Sequence, residues 1–316
     1  MSADLSDELA FQAARATAAA AAAAFRLAGR GDEKAADQAA VDALRTALNR
    51  LPMRGRVVIG EGERDEAPML FIGEEVGAGV GPEIDIALDP LEGTTLTAKA
   101  MGNALAVMAL APRGGLLHAP DTYMDKLAIG PGYAAGVVDL DASPADNVRS
   151  LARAKGCDPG EIGVCVLDRP RHKDIIESLR CVGARVHLIS DGDVAGVIQT
   201  TDPATGIDMY LGQGGAPEGV LAAAALRCVG GQLQTRLVFR NDDERARAER
   251  VGVTDFKRRY DLSDLAPTHA IFAATGVTDG ALLRGVKCVK GAAKTHTLVM
   301  NSATGFYGLI EASSPS

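Results

Sequence analysis

Apolar positions along the chain recur at two spacings, one near 3.6 residues and one of two, and the changes of period divide it into helices and strands. Residues from about Leu9 to Leu27, dense in alanine, predict a first helix that Gly29-Arg30-Gly31 ends. A second begins at Asp32 or Glu33 and runs to about Leu51-Pro52, with Val41, Leu44, Leu48 and Leu51 on its buried face. Short apolar runs bounded by proline, glycine or charge predict strands at Arg56–Ile59, Ile84–Leu88, Ala104–Leu110, Gly163–Leu167, Arg185–Ile189, Ala270–Ala274 and His296–Met300. Val137-Val138-Asp139 starts another element, and helices are expected at Pro144–Lys155, Ile175–Val182 and Val220–Cys228. The stretch 119–126 is expected as a polar loop, 210–219 as a glycine-rich loop, and the charge-dense 241–260 as a solvated helix or partner surface. Strands alternating with helices define an α/β fold. No repeat or composition break separates independent domains.

Length and charge narrow the classes. With 316 residues the chain has material for one large domain or two packed ones. A net charge of -8 leaves no surplus basic stripe for nucleic acid, although a metal or a few arginines can still hold a small anion. Five scattered cysteines, Cys157, Cys165, Cys181, Cys228 and Cys288, contain no Cys-x-x-Cys pair. They suit a reducing, cytoplasmic compartment and small core positions. No segment is apolar enough for a membrane span. The alanine run at 18–24 follows Asp4, Asp7 and Glu8, where a signal peptide would carry positive charge.

Chemistry concentrates where strands end. Ile84–Leu88 stops at Asp89-Pro90, and Asp89 and Glu92 then share a turn before Gly93 and Thr94. Two carboxylates so close repel unless one is solvated in an Asx-type turn or both face a divalent cation. Asp37 projects from the buried face of the second helix, as a first-turn dipole partner or as a ligand. Glu61 sits between Gly60 and Gly62 in an acidic loop, with Glu63 and Asp65 expected in water and Glu74 and Glu75 as rivals. Arg169-Pro170-Arg171-His172-Lys173 is the most basic cluster. Asp191-Gly192-Asp193 starts like a calcium loop but lacks its later ligands. Gly214-Gly215-Ala216-Pro217-Glu218 leads into a helix whose first N–H groups suit an anion, or it is a plain turn. No phosphate-binding lysine loop and no complete dinucleotide fingerprint occur. Hard oxygen donors favour Mg²⁺ or Mn²⁺, and with basic residues they suggest metal-assisted phosphate ester hydrolysis.

Asp89-Pro90-Leu91-Glu92-Gly93-Thr94 resembles the metal-binding motif of the lithium-sensitive sugar and inositol phosphatase superfamily. Three further segments follow it or precede it in order: Gly60-Glu61-Gly62-Glu63 with Asp65-Glu66-Ala67-Pro68-Met69-Leu70, Ala119-Pro120-Asp121-Thr122-Tyr123-Met124, and Asp191-Gly192-Asp193. With Gly214-Gly215-Ala216-Pro217-Glu218-Gly219 they make nearly the whole chain similar to class II fructose-1,6-bisphosphatases. The resemblance implies a layered α/β/α/β/α sugar phosphatase fold acting as one catalytic unit over 1–316. Within it, residues 1–160 would form a metal-binding half and 161–316 a substrate-binding half. It implies removal of the 1-phosphate of fructose 1,6-bisphosphate, a sugar bisphosphate substrate, and in some relatives sedoheptulose 1,7-bisphosphate. Metal ligands fall on Asp37, Glu61, Asp89, Glu92 and Glu218. Substrate contacts fall on Glu92, Gly93, Thr94, Tyr123, Arg169, Pro170, Arg171, Asp191, Gly192, Asp193 and Gly215. Thr94, with Glu92, would handle the attacking water. A homo-oligomer, dimer or tetramer, is expected, with no nucleic acid or membrane partner. Where relatives read Gly-Asp-Lys, this chain has Gly31-Asp32-Glu33-Lys34. An inositol-monophosphatase-like enzyme or a non-catalytic sugar-phosphate binder are the alternatives.

Overall fold

The computed structural model describes residues 5–62, 69–289 and 291–315. Glu63, Asp65 and the rest of the stretch 63–68 lie outside the described residues. In chain order the elements begin with α1 (Asp7–Phe25), α2 (Glu33–Leu48), β1 (Arg54–Ile59), β2 (Glu75–Val76), β3 (Glu83–Glu92), α3 (Thr94–Ala98) and β4 (Leu105–Pro112). They continue with β5 (Tyr123–Ile129), α4 (Pro144–Lys155), β6 (Gly163–Leu167), α5 (Lys173–Cys181), β7 (Arg185–Ile189), α6 (Asp193–Ile198), β8 (Met209–Gly215) and α7 (Ala216–Val229). The last are β9 (Gln232–Val238), α8 (Asp242–Arg250), β10 (Arg259–Asp261), α9 (Leu262–Leu265), β11 (Ile271–Gly276), β12 (Lys287–Val289), β13 (Ala292–Asn301) and β14 (Phe306–Pro315). The fold is α/β.

Two compact units result, Met1–His118 with Ala266–Ser316, and Ala119–Leu265. The sequence reading divided the chain near residue 160. The fold divides it elsewhere because β11 returns to pair with β4, and β13 and β14 follow it into the first sheet. That long-range pairing has no local signature.

In the first unit the sheet order is β12-β13-β11-β4-β3-β1-β2, with β14 also on β13. Among the described residues of this unit, only β1 and β3 pair in parallel; the other pairings are antiparallel. α1 and α2 cover it. Ser6 caps α1 by accepting from Leu9 N at 3.2 Å, and Asp32 caps α2 by accepting from Ala35 N at 2.9 Å. Alanines 10, 13, 14, 20, 21 and 24 are all buried on α1. Their small side chains let α1 lie close to α2 and the sheet, which is why an alanine-rich segment is core here.

In the second unit the order is β10-β9-β5-β8-β6-β7. β6 is parallel to β7 and β8, while β5 is antiparallel to β8 and β9. Its core gathers Leu127, Ile129, Leu151, Val164, Val166, Leu179 and Met209.

Several expectations are corrected. The stretch 119–126 is not all loop, because β5 starts at Tyr123 and its inward positions include buried Lys126. The stretch 210–219 is strand and helix, not loop, since β8 runs through its glycines to Gly215. Val137–Asp139 starts no helix or strand. The last pairing strand is β14, not 296–300, and α8 buries one charged residue, Glu244. All five cysteines are free thiols, but only Cys165 is a core residue; Cys181 and Cys288 are exposed. Among the described residues no helix is long and apolar enough to cross a membrane.

Candidate functional site

The central motif is more rigid than a turn. β3 continues through Asp89-Pro90 to Glu92, and its register on β4 shifts between them: Asp89 faces Val107 while Glu92 faces Leu105. Three steps along β3 match two along β4, so one residue is extra and the strand carries a bulge. Proline is tolerated there because a bulge removes a ladder bond anyway. Asp89 Oδ1 accepts from Leu91 N at 3.0 Å, a local turn that braces the bulge. Glu92 is buried, and Gly93 follows at φ 88, ψ 54 in the left-handed region that glycine alone enters freely. That twist starts α3 at Thr94, which is half-buried.

Other carboxylates of this unit lie on neighbouring segments. β1 runs parallel to β3, so Glu61, just past β1, leaves the sheet at the same edge as Asp89. The loop before α2 is pinned to α3 by Gly29 N donating to Thr97 O (2.9 Å) and Gly31 N to Ala98 O (3.0 Å). Asp37 and Glu61 are electrostatically coupled. Burial, with the Asp37 charge adding to it, pushes the Glu61 carboxyl up to about 7. Burial raises Asp37 as well. Glu74 is excluded as the rival of Glu61, because Arg45 Nε donates to it at 2.7 Å and Leu70 N also bonds it. Glu75 is exposed on β2. Glu33, given no role by the sequence, accepts from Thr95 Oγ1 at 2.8 Å and so joins α2 to α3, while Lys34 is exposed.

The second unit brings its candidates to one sheet edge. β6, β7 and β8 are parallel, so the segments after them share an edge: Arg169-Pro170-Arg171, Asp191-Gly192-Asp193, and Gly215 with Glu218. β5 is antiparallel and begins at that edge, where Tyr123 pairs with Gly215 and with Val238. Arg171 and Arg240 both lie over the Tyr123 ring, 5.0 and 4.5 Å from its centroid. Arg171 Nη2 donates to Gln213 O at 2.7 Å. Among the described residues no carboxylate pairs with Arg171, whereas Arg169 lies 3.6 Å from Asp191. Arg240 is bound by Glu244 through Nε at 2.6 Å.

Glu218 occupies the first turn of α7, where the N-terminal dipole favours an acid. Burial raises its carboxyl, nearby Asp193 raises it further, and Lys126 opposes both. A Cβ on Gly215 would fall 2.0 Å from Glu218 Oε2, so glycine there is the space for that carboxylate.

The sequence reading missed Lys126 and His172. Lys126 Nζ donates to Asp193 Oδ2 at 2.5 Å. A lysine alternating with Met124 and Ala128 on one face of β5 was the available signal. His172 is buried beneath the basic cluster; its Nε2 accepts from Gln213 N at 2.8 Å, which requires that ring nitrogen to be unprotonated. The hydrogen therefore sits on Nδ1 and is donated to Leu167 O at 2.7 Å.

In neither unit do three or more His, Cys, Asp or Glu side chains of the described residues stand as a preformed metal cage. The donors still fit a hard cation in kind: all are carboxylates, and no cationic group of the described residues offsets Glu61 and Asp37.

Such features define a sugar-phosphatase type of chain. The family model for bacterial fructose-1,6-bisphosphatase, glpX-encoded, matches residues 7–314. The chain belongs to that family. It is 46% identical over 308 residues to the D-fructose 1,6-bisphosphatase class 2/sedoheptulose 1,7-bisphosphatase of Synechococcus sp. (strain JA-3-3Ab), covering 90% of this chain and 88% of that relative. The protein of the same name from Synechococcus sp. (strain CC9311) is 45% identical over 297 residues, covering 90% and 89%.

Proposed function

We propose that this chain hydrolyses the 1-phosphate of fructose 1,6-bisphosphate to fructose 6-phosphate and phosphate, with sedoheptulose 1,7-bisphosphate as a second substrate. The observation that carries the reading is the braced bulge of β3. It sets Asp89 and Glu92 on either side of Pro90 and delivers Thr94 at a helix start through a left-handed glycine. Asp37, Glu61, Asp89 and Glu92 are the proposed metal ligands of the first unit, and Glu218 is the carboxylate of the second unit for which we propose the same role. Bound Mg²⁺ or Mn²⁺ would offset phosphate charge and acidify water.

The chain's own groups have separate tasks. The Thr94 hydroxyl orients the attacking water, and Glu92 accepts its proton. Water oxygen bonds to phosphorus, the bond from phosphorus to the sugar O1 breaks, and O1 takes a proton. The backbone at Gly93 carries the turn that places both groups. At the edge of the second unit, Arg171 and Tyr123 take the distal phosphate, and Arg169, Pro170, Asp191, Gly192, Asp193 and Gly215 line the sugar. A guanidinium with no carboxylate partner among the described residues is suited to a phosphate.

Phosphate release from both bisphosphates, with Mg²⁺ and with Mn²⁺, tests the reading. Chelation is expected to abolish release and either metal to restore it. Full turnover in metal-free buffer would end the metal assignment, and no release from either bisphosphate would end the substrate assignment.

A further inference from the structure

Lys126 is 1% exposed on β5, and its ammonium donates to Asp193 Oδ2 at 2.5 Å. A buried ion pair is commonly no more stabilising than two apolar residues of the same volume, so stability alone is a weak reason for one here. The surroundings are shaped around it. A Cβ on Gly214 would fall 1.8 Å from Asp193 Oδ2 and 3.3 Å from Lys126 Nζ. One on Gly219 would fall 3.3 Å from Lys126 Cε and 2.3 Å from Met124 Sδ. Neither glycine has a positive φ, so both are there for space. The pair also reaches across the sheet. Asp193 follows β7, the edge strand, through Gly192 at φ 84, while β8 and β6 lie between β7 and β5. The lysine ties that acidic turn to the centre of the sheet.

We propose that Lys126 is a positioning residue for Asp191-Gly192-Asp193: its ammonium holds Asp193 Oδ2, leaving Oδ1 to accept a sugar hydroxyl. The inference rests on the substrate role proposed above for Asp193. It concerns affinity for the sugar phosphate and not the cleavage step.

The test is calorimetric titration with fructose 6-phosphate, alongside KM and kcat for fructose 1,6-bisphosphate, on the wild type, Asp193→Asn, Lys126→Met and the double variant. Each single change is expected to weaken Kd about tenfold and raise KM to match, the loss of one good charge-assisted bond. Because Lys126 acts through Asp193, the double variant should bind no worse than Asp193→Asn. A lower melting temperature with unchanged Kd would mark a purely structural lysine and overturn the proposal. So would a double variant weakened by the product of the two effects, a wild type that does not bind fructose 6-phosphate, or normal binding by Asp193→Asn. Should Lys126→Met fail to fold, the double variant lacks both charges and is compared with Asp193→Asn directly. Equal Kd supports the proposal, and a further tenfold loss overturns it. Absence of phosphate release would sink the proposed activity alone, since the titration reads Lys126 without turnover.

Discussion

The β3–α3 corner of the first unit and the β8–α7 corner of the second use similar sequence differently. Both run a strand into a helix through glycine and place a glutamate beside the junction. At β3–α3 the glycine supplies a conformation, φ 88 at Gly93; at β8–α7 it supplies room, since Gly215 has φ -63 and lies under the Glu218 carboxylate. The charges differ too. Burial and the Asp37 charge raise Glu61 with no cation of the described residues to relieve it, while Glu218 and Asp193 have Lys126 built in. The first corner has no cation beside Glu61 among the described residues. The second carries its own.

Removing Lys126 should give the largest effect. Lys126→Met leaves Asp193 buried and uncompensated, and breaking a buried pair from one side costs about 3–5 kcal/mol. Urea unfolding should show most of that restored in Lys126→Met with Asp193→Asn. Glu61→Gln without metal should go the other way. The native carboxyl is raised from 4.5 to about 7, so its ionised form opposes folding at pH 8, and a neutral amide removes the penalty. A stability loss in metal-free Glu61→Gln would erase the contrast between the corners.

Arg171 comes next. Arg171→Ala removes a charge-assisted contact of about 1.5–3 kcal/mol, so kcat/KM for fructose 1,6-bisphosphate should fall ten- to a hundredfold. Hydrolysis of a sugar monophosphate lacking the distal group should hardly change. Equal losses on both would move Arg171 from the distal phosphate to the reacting one or to the fold.

Much of both corners was legible in the chain because their signals are local. Asp89-Pro90 marked a break in β3, although the strand runs on past it to Glu92, and three parallel strands then carried Arg171, Asp193 and Gly215 to one edge. Three things were hidden. The bulge was hidden because an extra residue shows only against the partner strand. Lys126 was hidden because its partner lies 67 residues away. The return of β11–β14 was hidden because pairing with β4 leaves no mark in either segment. Glycine density also misled: β8 holds its glycines for the side chains of Asp193, Glu218 and His172, and not as a loop.

The two glycines separate conformation from room. Gly93→Ala forces an alanine into the left-handed region and sets its Cβ 2.8 Å from Leu96 Cδ1, costing about 1–2 kcal/mol in urea unfolding. Gly215→Ala meets no backbone strain, so stability should change by less than about 1 kcal/mol, within the usual range for such a site. Its Cβ must instead displace the Glu218 carboxylate, so turnover should fall. Equal destabilisation by both would mean that the two glycines do the same work.

His172 gives the smallest and most specific test, a pH dependence confined to the second unit. Its Nε2 must stay unprotonated to accept from Gln213 N, and burial holds its pKa below the ordinary 6.5, with Arg171 and Arg169 pushing the same way and Leu167 O and Asp125 opposing. Below that ordinary value the unfolded imidazole takes a proton that the native one refuses, so the unfolded state binds more protons and stability rises with pH. The contribution is complete above 6.5 and is lost as pH falls, with a slope of at most about 1.4 kcal/mol per pH unit for one proton. His172→Gln removes the titrating group while keeping a side chain able to accept a hydrogen bond. The difference in unfolding free energy between wild type and His172→Gln should therefore be constant above pH 7 and shrink steadily toward pH 5. His296 is also depressed but stays the same in both proteins, so it cancels. A difference that does not change between pH 7 and pH 5 would mean that the native imidazole takes up its proton as readily as the unfolded one, and that its bond to Gln213 does not fasten the basic cluster to β8.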